Sequence, residues 1–150
     1  KRGHFMAEGL NYWKLVHEEG KTLGQAMRWG LLTEDTYFGL WPSGVKSYAD
    51  LAANLAGFSF WENAVDGAFP HFGCVGGRYT QLRRFSWGDF VSDAWDEAIN
   101  CSVLSKSLVG AFGRNLKRLG MTCPVAGSER ICMSLATEPG SELWLSPKCR

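Results

Sequence analysis

The first residues of the chain that could do chemistry together are a histidine and a glutamate near its start. His4 and Glu8 are four positions apart in a segment with helical periodicity, so both lie on one helix face, and Asn11 continues this polar line. Such a pair can supply two ligands to a divalent metal, or an imidazole whose basicity a carboxylate raises. The simpler alternative is a solvent-facing stripe at a helix start, where the helix dipole also favours glutamate.

A second polar group, Asp50 with Asn54, has the same spacing. Asp50 also fits as the reciprocal partner of an N-cap at Ser47, which is the simpler interpretation. Asn54, however, stands in an otherwise apolar helix, and a buried asparagine must find hydrogen-bond partners. Gly57 lies on the same face and would allow another element to approach closely. The pair therefore indicates either a site or a helix cap with a hydrogen bond in the core.

A third group lies next to a tryptophan. Asp96 and Glu97 follow Trp95 directly. A carboxyl held against an indole has a raised pKa, which a general acid working near neutral pH requires. The alternative is that these acids belong to the solvated side of an amphipathic helix.

These groups together are compatible with a hydrolase. Two carboxylates from different helices are enough to cleave a glycosidic bond, and the metal-assisted variant would use His4 and Glu8 as ligands. Tryptophan rings stack on sugar rings, and Trp41 lies in a loop by its turn chemistry. We therefore predict catalytic roles for Glu8, Asp50 and Asp96, binding roles for Trp41, Asn54 and Trp95, and metal-ligand roles for His4 and Glu8.

Helix signals dominate the elements that must position these residues. Capping boxes are predicted at three helix starts, where Thr22 pairs with Gln25, Ser47 with Asp50 and Ser86 with Asp89. The apolar spacing predicts further helices over about 4–17, 86–99, 102–119 and 129–137. The predicted fold is all-α: a compact single domain of five or six short helices, with an irregular Gly-rich loop at about 66–85 in which 78–82 fits a small hairpin. We predict a helical core over 1–121 and a cysteine-containing tail over 122–150 that is part of the same domain.

The five cysteines indicate an oxidising compartment. None forms a CxxC pair and the three histidines are scattered, which argues against a structural zinc site. Cys123, Cys132 and Cys149 lie in a Pro-, Gly- and Ser-rich stretch that a disulfide would hold down. We therefore predict at least one disulfide and a periplasmic or secreted location. The alternative is five reduced thiols in a cytosolic protein. The odd count leaves one thiol free or paired outside this chain, and the start at Lys1 is typical of a processed or partial chain.

The overall charge argues against a general polyanion binder. Sixteen Lys and Arg against fifteen Asp and Glu give a net charge of +1, so we expect no nucleic-acid partner. The sequence also has two local basic clusters, Arg78-Arg83-Arg84 and Arg114-Lys117-Arg118, which could together form an anion-binding patch. No apolar run approaches the roughly 18 residues of a membrane span.

These observations lead to two functional hypotheses. The first is an extracytoplasmic binding or structural domain with an unknown protein or glycan partner. The second is a small hydrolase that acts on a cell-envelope or extracellular glycan through paired carboxylates. The sequence leaves open whether the chain is an enzyme, and a divalent metal is the single cofactor that its residues suggest.

Overall fold

The helix Tyr48–Glu62 lies at the centre of the fold, where the first helical segments of the chain contact it. The computed structural model describes residues 1–64, 67 and 70–150. A π-helical segment, His4–Glu8, continues directly into the first α-helix. The α-helices are α1 (Gly9–His17), α2 (Leu23–Asp35), α3 (Leu40–Ser43), α4 (Tyr48–Glu62), α5 (Lys106–Arg118), α6 (Glu129–Ala136) and α7 (Ser141–Trp144).

Two helix starts follow the predicted capping rules. At α2, the Thr22 hydroxyl accepts a hydrogen bond from the Gln25 N–H at 3.2 Å, and the Gln25 side chain accepts one from the Thr22 N–H at 2.8 Å, which confirms that capping box. At α4, the Ser47 hydroxyl accepts from the Asp50 N–H at 3.1 Å, as predicted. The reciprocal hydrogen bond differs from the prediction, because the Ser47 N–H donates to the Glu34 carboxylate and not to Asp50. The Asp50 carboxylate is therefore available for other contacts.

The π-helical segment and α1 cross α4 in direct backbone contact. A Cβ atom on Gly57 would lie 1.9 Å from the carbonyl oxygen of Phe5, and one on Gly9 would lie 2.5 Å from the Gly57 backbone. Only glycine permits this separation. The predicted close approach at Gly57 is therefore present, and it brings the first residues of the chain onto α4.

The all-α prediction is wrong, because two small antiparallel sheets accompany the helices. Helices account for 54% of the chain. Strand β1 (Val45–Lys46) pairs with β4 (Val103–Leu104), and β2 (Phe72–Val75) pairs with β3 (Arg78–Gln81). The second pair is a hairpin whose turn residues, Gly76 and Gly77, both have positive φ. The hairpin lies inside the predicted 66–85 loop, of which residues 66, 68 and 69 lie outside the described structure.

The predicted helix over 86–99 is also wrong. Two short 3-10 turns, Trp87–Asp89 and Asp93–Trp95, stand in its place. The predicted capping box at Ser86 is wrong as well, because the Ser86 hydroxyl accepts the Gly88 N–H at 3.3 Å and begins only the first of these turns. The apolar residues of this segment pack around the fully buried ring of Phe5, with ring centroids 5.2 Å away for Trp87 and 5.8 Å for Trp95. Their spacing therefore reflects an aromatic cluster rather than one helix stripe. Similarly, the helix predicted from 102 begins at Lys106, because β4 precedes it.

The C-terminal region contributes to the core and contains two disulfides. Cys101 pairs with Cys123 and Cys132 with Cys149, which confirms the predicted cross-linking. The core includes Leu135 and Leu145 from this region. The division at residue 121 stays a prediction. Among the described residues, no helix has the length and apolar character needed to cross a membrane.

Candidate metal centre

Three side chains with metal-ligand atoms meet where α2 ends and α4 begins. His4 comes from the π-helical segment, Glu34 from the last turn of α2 and Asp50 from the first turn of α4. His4 Nε2 lies 3.5 Å from Asp50 Oδ2 and 4.0 Å from Glu34 Oε1. One ligand atom from each residue lies within 4.8 Å of the other two. The π-helical geometry of the first segment fits this arrangement, since π-bulges occur frequently at functional sites.

The orientation of His4 is fixed from behind by a buried amide. His4 Nδ1 lies 3.0 Å from Asn54 Oδ1, and the Asn54 Nδ2 group donates to the Tyr12 hydroxyl at 3.4 Å. An amide oxygen can only accept, so Nδ1 carries the proton in this bond. A neutral His4 then directs the Nε2 lone pair toward the two carboxylates. This is the arrangement that orients a metal-binding imidazole in proteins.

The Tyr12 hydroxyl, which accepts the hydrogen bond from Asn54, is buried and neutral. Desolvation raises the pKa of the Tyr12 hydroxyl far above its ordinary value, so the hydroxyl stays protonated at physiological pH. A Cβ atom on Gly30 would lie 1.8 Å from that hydroxyl oxygen. Tyr12 is thus held between α2 and α4, and it fixes Asn54, which in turn fixes His4.

Glu34 is the most buried member of the group, with 3% of its side chain exposed. Its Oε2 atom accepts the Ser47 N–H at 3.2 Å, while Oε1 faces His4 beyond hydrogen-bond distance. Burial raises the pKa of the Glu34 carboxyl above its ordinary value, and the Asp50 carboxylate adds to this effect. The hydrogen bond from Ser47 lowers it, as do the charge of Lys1 and the charge that His4 has when it is protonated. An ionised Glu34 therefore needs a positive charge beside it.

A second layer of charge surrounds Asp50. The Lys1 ammonium lies 2.8 Å from Asp50 Oδ1 and 2.9 Å from the Ser47 hydroxyl, and it also contacts Glu97. The Ser47 hydroxyl donates to Glu97 at 3.0 Å. Lys1 thus binds one oxygen of Asp50, whereas Asp50 Oδ2 faces His4.

The residues predicted from the sequence are divided between this centre and other places. His4, Asp50 and Asn54 lie in it. Glu8 lies outside the group of three and accepts a hydrogen bond from Asn11 at 3.2 Å. Asp96 accepts the Ala98 N–H at 2.8 Å, and its neighbour Glu97 reaches the second layer instead.

The two predicted binding tryptophans lie elsewhere. Trp41 lies in the short helix α3 and not in the predicted loop. Its side chain is 70% exposed and contacts Tyr37, with ring centroids 5.7 Å apart. Trp95 belongs to the aromatic cluster around Phe5 and also lines a cavity of about 200 Å³ with Trp144 and Glu138. In the described structure, Glu8, Asp50 and Asp96 do not line that cavity.

Sequence reasoning missed Glu34, although a signal was present. Glu34 and Asp35 occupy the last turn of α2, where the helix dipole favours cations and disfavours acids. Acidic residues at a helix C-terminus need another reason to be there. Asp35 binds Lys46 at 2.8 Å, and Glu34 faces His4.

The arrangement of one imidazole and two carboxylates can bind a divalent cation. Ligand atoms about 2.0–2.2 Å from a zinc ion lie roughly 3.3–3.6 Å apart in a tetrahedral site. The His4–Asp50 separation of 3.5 Å falls in this range and the His4–Glu34 separation is slightly wider. A scan against protein-family models gave no match to the chain, and searches of curated proteins and of solved structures gave none either.

Proposed function

We propose that the chain is an extracytoplasmic domain that binds a divalent cation through His4, Glu34 and Asp50. The observation that carries this proposal is that three ligand atoms lie within 4.8 Å of one another, while Asn54 orients the imidazole through its Nδ1 atom. The buried Glu34 carboxylate supports it, because a bound cation offsets the cost of burying that charge. The two disulfides support the extracytoplasmic part, since such bonds persist mainly in oxidising compartments.

The ligand chemistry selects among cations. Calcium and magnesium take oxygen ligands almost exclusively, whereas an imidazole with carboxylates suits Zn²⁺ and other first-row transition metals. Three protein ligands leave at least one coordination position for water or for a group on a partner. We therefore expect Zn²⁺ to bind more tightly than Ca²⁺ or Mg²⁺.

Titration calorimetry of chelator-treated protein with Zn²⁺ tests the proposal. The wild-type chain should bind one equivalent, and Asp50→Asn should weaken binding at least tenfold because it removes an anionic ligand. Glu8→Gln is the matched control, since it neutralises the carboxylate that spacing alone pairs with His4. It should leave the affinity unchanged. The absence of stoichiometric binding, or equal losses in both variants, would contradict the proposed ligand set.

A cation-assisted hydrolase of cell-envelope or extracellular glycans is the second candidate. A cation held by His4, Glu34 and Asp50 alone would keep a position for water, and a metal-bound water would supply a nucleophile. Solvent could reach that position, because the side chains of His4 and Asp50 are 23% and 19% exposed. Catalysis by paired carboxylates alone has less support. The nearest oxygens of Glu34 and Asp50 lie within 4.8 Å, below the roughly 5–9.5 Å of glycosidase pairs.

Activity on glycans separates the two candidates. A hydrolase should release soluble fragments from peptidoglycan or another extracellular glycan, and chelator or Asp50→Asn should abolish the release. A binding domain should release none while still taking up the cation. Release that persists in chelator would assign the reaction to groups other than the proposed centre.

A further inference from the structure

Helix α5 projects from the body of the protein as part of a disulfide-closed arm. The arm is defined as residues 102–122, which lie between the paired cysteines Cys101 and Cys123. Its first part, β4, pairs with β1, and α5 follows. None of the 13 residues of α5 is buried in the described structure. The helix therefore gains little from the core of the domain.

One side of α5 is apolar and exposed. Leu108, Phe112, Leu116 and Leu119 recur at helical spacing, and together with Val109 they span an arc of about 100°. The exposed fractions are 57% for Val109, 46% for Phe112 and 62% for Leu119. An exposed apolar face of this kind marks an interaction surface.

The charged residues on the other side of α5 are all cations. Lys106, Arg114, Lys117 and Arg118 lie opposite the apolar arc. The sequence contains no acidic residue between Glu97 and Glu129, so the arm has a charge of +4 in a chain whose net charge is only +1. The positive charge is thus concentrated on the element with the exposed apolar face.

We propose that α5 binds the surface of a membrane that contains anionic lipid. An interfacial helix has this combination: a strong apolar face that enters the boundary of the acyl chains, and Lys and Arg at the headgroup level. Thirteen residues extend about 20 Å, too short to span a bilayer and suited to lie in its plane. Charge complementarity favours this occupant over a second copy of the chain, which would bring two sets of four cations together.

The disulfide at the base of the arm adds to the proposal. Cys101 is buried, with 1% exposure, so the arm is anchored to the body at that end. An anchored helix presents its apolar face from a fixed base, which lowers the ordering cost of binding. The surface is separate from the metal centre, and its test does not depend on the cation.

Co-sedimentation with lipid vesicles tests the proposal. The protein should bind vesicles made of equal parts phosphatidylcholine and phosphatidylglycerol, and not vesicles of phosphatidylcholine alone. Lys117→Gln with Arg118→Gln should lower the partition coefficient more than tenfold, because each cation near an anionic surface contributes about fivefold. Phe112→Ser should lower it further. In about 1 M NaCl, where the Debye length is about 3 Å, the binding should weaken strongly.

Matched control variants remove two cations or one exposed aromatic side chain from a surface outside the arm. Arg78→Gln with Arg83→Gln neutralises two cations of the other basic cluster, and Tyr79→Ser removes an aromatic side chain that is 89% exposed on β3. Both variants should bind as the wild type does. Failure of the wild type to bind anionic vesicles, or equal losses in the controls, would overturn the proposal. Concentration-dependent association that Phe112→Ser abolishes, without vesicle binding, would assign the face to a second copy and also overturn it.

Discussion

The proton on His4 decides what the centre can do. Its Nδ1 atom is engaged by Asn54, so Nε2 either has a proton shared with Asp50 or an available lone pair. In the first state His4 and Asp50 form a partly buried ion pair, and in the second state the three side chains are free to bind a metal ion. The two carboxylates on one side and the neutral amide on the other stabilise a positive charge at Nε2, which a proton or a metal ion can supply.

The pH dependence of stability should show the cost of burying Glu34. Burial raises its folded-state pKa above the ordinary value, so its contribution to stability is fully present below the unfolded-state pKa and is lost as pH rises through the folded-state pKa. Glu34→Gln keeps a neutral acceptor for Ser47 and does not titrate. In chelator, the stability of wild type relative to this variant should therefore fall as pH rises.

Urea unfolding in chelator at several pH values measures this difference. His4, Asp50 and Lys1 are present in both proteins, so the comparison isolates the loss of the Glu34 carboxyl. Near neutral pH, added Zn²⁺ should make the wild type more stable than Glu34→Gln, because the ion binds preferentially to the protein with all three ligands. Parallel curves for the two proteins in chelator would show that the Glu34 carboxyl titrates normally.

At the scale of elements, local rules succeeded where their partners are close in sequence. Both capping positions, Thr22 and Ser47, depend on contacts three residues away, and both helices begin there. The helix prediction for the aromatic segment after Phe85 was wrong because that segment packs against Phe5, some eighty positions earlier. No local periodicity encodes that contact. The pairing of β1 with β4 has the same long-range origin.

The residues of the candidate site were found or missed for the same reason. His4, Asp50 and Asn54 were found because helical spacing makes chemically useful pairs visible. Glu34 was missed because its place beside His4 depends on how α2 packs against α4. That arrangement is set by contacts such as Tyr12 against Gly30, which no single segment contains.

Two glycines in helices should respond oppositely to alanine. Gly57→Ala places a Cβ atom 1.9 Å from the Phe5 carbonyl oxygen, and we expect it to lower the free energy of unfolding by about 3 kcal/mol. Gly113→Ala in α5 meets nothing within 4 Å and should be neutral or stabilise by up to about 1 kcal/mol. Denaturant unfolding measures both. A small effect at Gly57 would show that the π-helical segment does not lie against α4.

At the scale of the whole molecule, the disulfides tie two peripheral regions to the core. Cys101–Cys123 closes the base of the arm, and Cys132–Cys149 joins α6 to the end of the chain. Cys132 and Cys149 are themselves core residues. Among the five cysteines, all of them described, Cys74 is the free one, and it lies exposed on β2.

Loss of the second disulfide should weaken the fold, because the reduced chain has more conformations when unfolded. For a sequence separation of 17 residues, loop-closure entropy predicts that Cys132→Ser with Cys149→Ser lowers the free energy of unfolding by about 3 kcal/mol. Cys74→Ser is the control and should have no effect. Alkylation of denatured protein should add one group without reduction and five after it. Five adducts without reduction would show that neither disulfide forms, and the argument for an extracytoplasmic location would lose its support. The cation and vesicle experiments do not depend on this result.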